Sequence, residues 1–182
     1  MRLMLYQRNE QSIPRLAARR RTRRVLATSV ASVAALLMLA LISGCTPEAT
    51  AALKTYSGIN AIRTQAGLPP LAVDESLAEV ARIRSHDMAT RDYFAHEPPD
   101  GCNAFCIMRA QGIGYAWAGE NLELNNWDWP DSADGAVRTW RNSPEHLANI
   151  LNCHYTRFGA GVEMGADRKI YFTMIFEGDA AC

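Results

Sequence analysis

Three side chains in this chain of 182 residues have the types to do chemistry together. Glu120 stands in Trp117-Ala118-Gly119-Glu120-Asn121-Leu122. A carboxylate within apolar residues is costly to bury unless another group pairs with it, and the glycine before it permits close approach of backbone. Two histidines with apolar neighbours are candidate partners: His96 in Tyr93-Phe94-Ala95-His96 and His146 in Ser143-Pro144-Glu145-His146. Two imidazoles and one carboxylate suit a divalent cation such as Zn2+, with His96 and His146 as ligands and Glu120 hydrogen-bonding a bound water. They equally suit a metal-free polar network that specifies one core arrangement without any reaction. Hydrolysis, with Glu120 as general base, is a third reading; no separate nucleophile, oxyanion device or third strong ligand accompanies it. No catalytic residue is therefore assigned. Glu145, beside His146, is a further carboxylate that could face the same cavity.

These groups need a scaffold. Leu53, Tyr56, Ile59, Ile62 and Ala66 recur at threes and fours and predict an amphipathic helix from Glu48 to Ala66, stopped by Gly67. Asp74 caps a second helix to about Arg91 with Leu77, Val80, Ala81 and Met88 on its apolar stripe, and His96 follows just beyond. Arg82, Arg84 and Arg91 on this helix read as a solvated face, and His86 as a surface residue. A short helix at Cys102–Gln111 closes at Gly112, and Tyr115–Leu124 reads as a strand carrying Glu120. Asn125–Pro130 reads as a loop whose Trp127 and Trp129 either cover one end of the fold or form a binding lip. Helices follow at Asp131–Asn142 and from Pro144 to Leu151. Phe158–Met164 and Ile170–Phe176, joined by a four-residue turn of Gly165 to Arg168, predict an antiparallel hairpin. Helices first and strands last predict an α+β domain with a mainly antiparallel sheet.

The chain is two unlike parts by charge. Residues 1–44 hold eight Lys or Arg against Glu10, a formal +7, which leaves −7 for Cys45–Cys182. The latter argues against nucleic acid as a partner, since a phosphate-binding surface needs clustered Lys and Arg. A basic tract at Arg19–Arg24 runs into the apolar segment Val25–Ile42 and then Ser43-Gly44-Cys45, the order of a secretory signal; an uncleaved membrane-spanning helix is the alternative. Ile42-Ser43-Gly44-Cys45 resembles the bacterial lipobox, which implies that residues 1–44 are removed and Cys45 becomes lipidated, anchoring the protein to the outer face of the membrane. Thr22-Arg23-Arg24-Val25-Leu26 also resembles a twin-arginine export signal. Residues 45–50 then read as a tether and 51–182 as one domain. Removing Cys45 leaves Cys102, Cys106, Cys153 and Cys182, an even set suited to an oxidising compartment. Three pairings are open, with Cys102–Cys106 and Cys153–Cys182 preferred because the second ties down the C-terminus. A four-cysteine zinc site is the rival, without the usual paired spacing.

Asn60-Ala61-Ile62-Arg63, Ala66-Gly67-Leu68-Pro69-Pro70-Leu71, Tyr93-Phe94-Ala95-His96, Gly119-Glu120-Asn121, Val137-Arg138-Thr139-Trp140, Ser143–Leu151 and Phe158-Gly159-Ala160-Gly161 form an ordered set across residues 51–182. The set resembles the bacterial branch of the CAP superfamily, the secreted cysteine-rich, antigen 5 and pathogenesis-related 1 proteins. The resemblance implies an α-β-α sandwich, a small antiparallel sheet between helical layers, and a central cavity lined by His96, Glu120 and His146 that holds divalent metal in some members. It also implies, as alternatives, an envelope component or a lipid or sterol as ligand. The second acid of the eukaryotic cavity falls near Ser143 here and is missing, while Glu145 replaces the glycine usual in bacterial members. His154-Tyr155-Thr156-Arg157 superficially resembles the eukaryotic histidine motif, but its spacing to Phe158 favours His146 for the cavity.

Overall fold

The computed structural model describes residues 46–179 and 181–182. The expected signal segment 1–44 and the expected lipidation residue Cys45 lie outside the described residues. Helix α1 (Pro47–Gln65) begins inside the stretch expected to be a tether, because Thr46 caps it by accepting from the Ala49 amide and Pro47 supplies a preset φ. Helix α2 (Glu75–Arg91) starts at Asp74, whose side chain accepts from the Leu77 amide. Helices α3 (Ala104–Ala110), α4 (Trp129–Asn142) and α5 (Pro144–Ile150) follow, α4 starting two residues earlier than Asp131. Among the described residues no helix is long and apolar enough to cross a membrane.

Strands β1 (Ala72–Val73), β2 (Trp117–Asn125), β3 (Arg157–Met164) and β4 (Ile170–Gly178) form one sheet in the order β1-β3-β4-β2. The expected C-terminal hairpin is present as antiparallel β3–β4, and β2 joins β4 antiparallel with Glu120 opposite Ile175. The short β1 runs parallel to β3 and adds a strand to those expected, since two residues are too few for any periodicity.

Alternation along β4 separates the two helical layers. Ile170, Phe172, Met174 and Phe176 join a core with α1, α4 and α5, whereas Tyr171 and Ile175 pack with α2 or α3. Thr173, on the same side as Tyr171, accepts from Ser85 of α2 at 2.9 Å. The result is the α-β-α sandwich. Gly159 and Gly161 make its α2 side possible: a Cβ on either would run into α2 backbone, at Leu77–Ala78 or Ala81–Arg82. The helix lies directly on β3, which fixes the height of every α2 side chain over the sheet.

Two arginines are buried where the sequence suggested solvent or gave no warning. Arg63 of α1 is fully buried and donates to the carbonyls of Pro69, Ile150 and Asn152 at 2.8–2.9 Å, tying the turn after α1 to the end of α5. Leu53, expected on the α1 stripe, is 68% exposed; the buried row runs instead through Ala51, Thr55, Ile59 and Ile62. The disulfides are Cys102–Cys106 and Cys153–Cys182, as preferred.

Candidate functional site

The second buried arginine organises the site. Arg84 sits in the apolar face of α2, not on a solvated one, and is completely buried. Its Nε donates to Glu120 Oε1 at 3.1 Å, its Nη1 to the Tyr93 hydroxyl at 2.8 Å, and its Nη2 to the carbonyls of Ala95 and His96 at 2.8 and 3.1 Å. One guanidinium thus sets both the carboxylate on β2 and the segment that delivers His96. Tyr93 in turn donates to Asp87. Burial, assisted by that bond, pushes the Tyr93 phenol up to about 12. For Arg84, burial is the largest single influence and lowers the pKa, but Glu120 and Tyr93 together outweigh it and the net shift is upward.

The second oxygen of Glu120 meets His96 Nδ1 at 2.6 Å. Glu120 is 7% exposed and the His96 side chain 57%, so the pair reaches from the sheet to the surface. The bond to Glu120 is the main cause of a raised His96 pKa; burial and Arg84 oppose it. A carboxylate held by an arginine orients the ring and leaves His96 Nε2 as the nitrogen that can meet a ligand. With both oxygens engaged, Glu120 is placed behind His96 instead of beside a bound water, the position the sequence suggests for it.

β2 is an edge strand, and the site occupies its free edge. Trp140 Nε1 donates to the Leu122 carbonyl at 2.8 Å and Asn149 Nδ2 to the Glu120 carbonyl at 3.3 Å, so helices cover edge acceptors that would otherwise recruit another strand. Asn121 donates to the His146 carbonyl at 3.0 Å and accepts from Asn149 at 2.9 Å, which fixes α5 beside the strand. A pocket of about 300 Å³ opens there, lined by His96, Glu97, Asn103, Phe105, Gly119, Glu120 and Asn149.

His146 is close enough for the His96 charge to depress its pKa, after burial as the leading cause; Glu145 opposes this. Its Nδ1 is buried with no hydrogen-bond partner among the described residues. Glu145 itself is exposed and does not line the pocket. Among the described residues, the one group of three potential ligands drawn within 4.8 Å is Cys153, His154 and Cys182, whose two sulfurs are already joined to each other. His96, Glu120 and His146 are therefore neighbours without forming so compact a set. His154 stacks on Trp117, ring centroids 4.0 Å apart, beside that disulfide. His86 is exposed, 3.6 Å from Glu163.

The family model of the cysteine-rich secretory proteins matches residues 56–176. YkwD of Bacillus subtilis is 40% identical over 108 residues, 59% of this chain and 40% of that protein. YlbC, a membrane protein of the same organism, is 36% identical over 112 residues, 62% of this chain and 30% of its own. The chain thus spans well under half the length of these curated relatives. An extracellular SCP-domain protein from Bacillus anthracis superposes with a TM-score of 0.65 at 30% identity, over 72% of this chain and 41% of that one. An outer surface protein of Borrelia burgdorferi does so at 0.60 and 20% identity, over 69% and 90%. The ordered motifs, the sandwich and these matches agree: the chain belongs to the cysteine-rich secretory protein family, the CAP proteins.

Proposed function

We propose that this is an exported, non-catalytic CAP domain, held at the cell envelope by lipid on Cys45, whose edge pocket binds a divalent cation through His96 and His146. The observation that carries the reading is the Arg84–Glu120–His96 relay: a buried ion pair presenting one imidazole, through its Nδ1, to an open pocket. Carboxylates behind ligating histidines fix tautomer and orientation and raise ligand basicity. Imidazole nitrogens are the donor type that suits a cation of the Zn2+ class; His96 lines the pocket and His146 would have to turn toward it. His96 Nε2 is directed away from Glu120, and His146 is a neutral-favouring imidazole whose buried Nδ1 has no partner among the described residues. Once bound, the cation would supply positive charge to hold an anionic or carbonyl-bearing ligand. Proteins of this fold have been solved with Zn2+ and, for an Ancylostoma secreted protein, manganese; at 13% and 12% identity they carry the fold and no assignment of residues.

Metal analysis of the full-length protein tests this. Near-stoichiometric zinc or manganese, lost in His96→Ala, is expected; equal metal in both proteins contradicts it. The structural-network reading rests on Glu120 being fully paired without any cation, and it predicts a large loss of stability in His96→Ala with no metal in either protein. Hydrolysis with Glu120 as base has little to support it, because neither of its oxygens is free.

Export and anchoring are supported by the basic-apolar-lipobox order of residues 19–45 and by relatives described as extracellular or as an outer surface protein. Mass spectrometry of the membrane fraction is expected to find an acylated N-terminal Cys45 peptide; an intact segment 1–44 rules this out.

A further inference from the structure

Beyond the C-terminal end of β2, the loop into α4 meets the β3–β4 turn around a second pocket of about 300 Å³. Trp127 stands in it, 44% exposed. A Cβ on Gly135 would lie 2.8 Å from both Cε3 and Cζ3 of the indole and 3.4 Å from Cδ2, so the glycine meets the face of the ring and not its rim. Arg138, one turn along α4, places its guanidinium carbon 4.7 Å from the centroid of the same indole. Both contacts come from one face of one helix. They hold the indole against α4, and the same side chain lines the pocket.

Polar side chains line the same pocket. Asn126, Asp128 and Arg168 are exposed, and their side chains make no hydrogen bond or ion pair among the described residues, although Asp128 stands at the N-cap of α4. Asp167 is held by Lys169, and Met164 adds an exposed apolar edge. The charges nearly balance, which disfavours a polyanion or polycation. Planar amide, carboxylate and guanidinium groups beside an aromatic plate match a ring that has a C–H face and a girdle of hydroxyls. The volume lies at the low end of ligand pockets, about 300–1,000 Å³, enough for one or two sugar rings.

We propose that this pocket is a binding subsite for a neutral saccharide, stacked on Trp127 and hydrogen-bonded by Asn126, Asp128 and Arg168. It is separate from the His96 pocket and does not depend on metal there.

Calorimetric titration of the full-length protein with triacetylchitotriose and with maltotriose tests it, using triglutamate and trilysine as peptide arms and EDTA in parallel. Millimolar binding of one of the trisaccharides is expected, unaffected by EDTA, weakened at least about tenfold by Trp127→Ala and several-fold by Arg168→Ala. Because Trp127→Ala could loosen α4, Arg168→Ala and Asn126→Ala carry the test with unchanged thermal unfolding. Absence of saccharide binding, binding that survives Trp127→Ala and Arg168→Ala, or binding of a charged peptide at this site in place of sugar would overturn the proposal.

Discussion

Two of the molecule's pockets, one beside Glu120 and one beside Trp127, have about the same volume and are built in opposite ways. In the first, Arg84 uses all three nitrogens, Glu120 uses both oxygens, and Asn121, Asn149 and Trp140 fix the strand edge. In the second, Asn126, Asp128 and Arg168 are exposed beside the Trp127 indole and make no side-chain hydrogen bond or ion pair among the described residues. The difference separates preorganisation from adaptability. A site wired by buried charge has already lost its conformational freedom and can hold one geometry for a ligand, whereas a site of free surface side chains must order them on binding and is correspondingly weak.

Variants sharpen this contrast, beginning with the largest effect. Arg84→Met leaves the buried Glu120 without its guanidinium and is expected to cost about 3–5 kcal/mol in urea unfolding. Arg168→Ala should change stability by no more than about 0.5 kcal/mol. Comparable losses in the two would erase the distinction between the pockets. Adding Glu120→Gln to Arg84→Met should recover part of the loss, since the unpaired charge is then gone.

Two glycines give a second, smaller comparison. Gly161→Ala drives a methyl into α2 backbone, which cannot step aside, and should destabilise by about 1–3 kcal/mol. Gly135→Ala meets only the Trp127 side chain, so its main readout should be altered indole fluorescence with a lesser stability change. The reverse ranking would mean that α2 is less tightly seated on β3 than the packing indicates.

The smallest effects are in pH. In metal-free protein the His96 pKa is raised above 6.5, so its contribution is complete below 6.5 and fades as pH rises through the folded value. His146 is lowered, so its contribution is complete above 6.5 and fades as pH falls below it. His96→Ala should flatten the alkaline side of the stability profile and His146→Ala the acid side; variants that leave both slopes unchanged would show that neither ring is coupled as described.

The outline of the fold is legible in the sequence because long periodic segments and end signals agree: α2 is capped by Asp74 and ends at Arg91 as read, and the glycine turns and the hairpin fall in place. Both disulfides match the pairing preferred among the three that four cysteines allow. The partner of Glu120 does not follow. Charge groups Arg84 with Arg82 and Arg91, although Leu77, Ala81 and Met88 leave an empty place at 84 on their own stripe. Periodicity places the residue inside the core, while residue type suggests solvent. Arg63 repeats the lesson beside Ile59 and Ile62, since its partners are carbonyls brought from far along the chain. Leu53 is the converse, a large apolar residue left outside because smaller Ala51 and Thr55 occupy the buried row. His96 and Glu120 do meet as their types suggest; their hydrogen bond puts Glu120 behind the ring, which spacing along a chain cannot specify.

Everything proposed for the edge pocket depends on Glu120 holding His96 by Nδ1 so that Nε2 meets a ligand. Nitrogen-detected NMR of the imidazoles during a Zn2+ titration of the full-length protein tests this directly. His96 Nε2 and one nitrogen of His146 are expected to move to metal-bound shifts while His96 Nδ1 stays protonated toward Glu120, and Glu120→Gln is expected to weaken binding by about 10–100-fold. Histidine signals that ignore Zn2+, or a His96 that binds it through Nδ1, would contradict it.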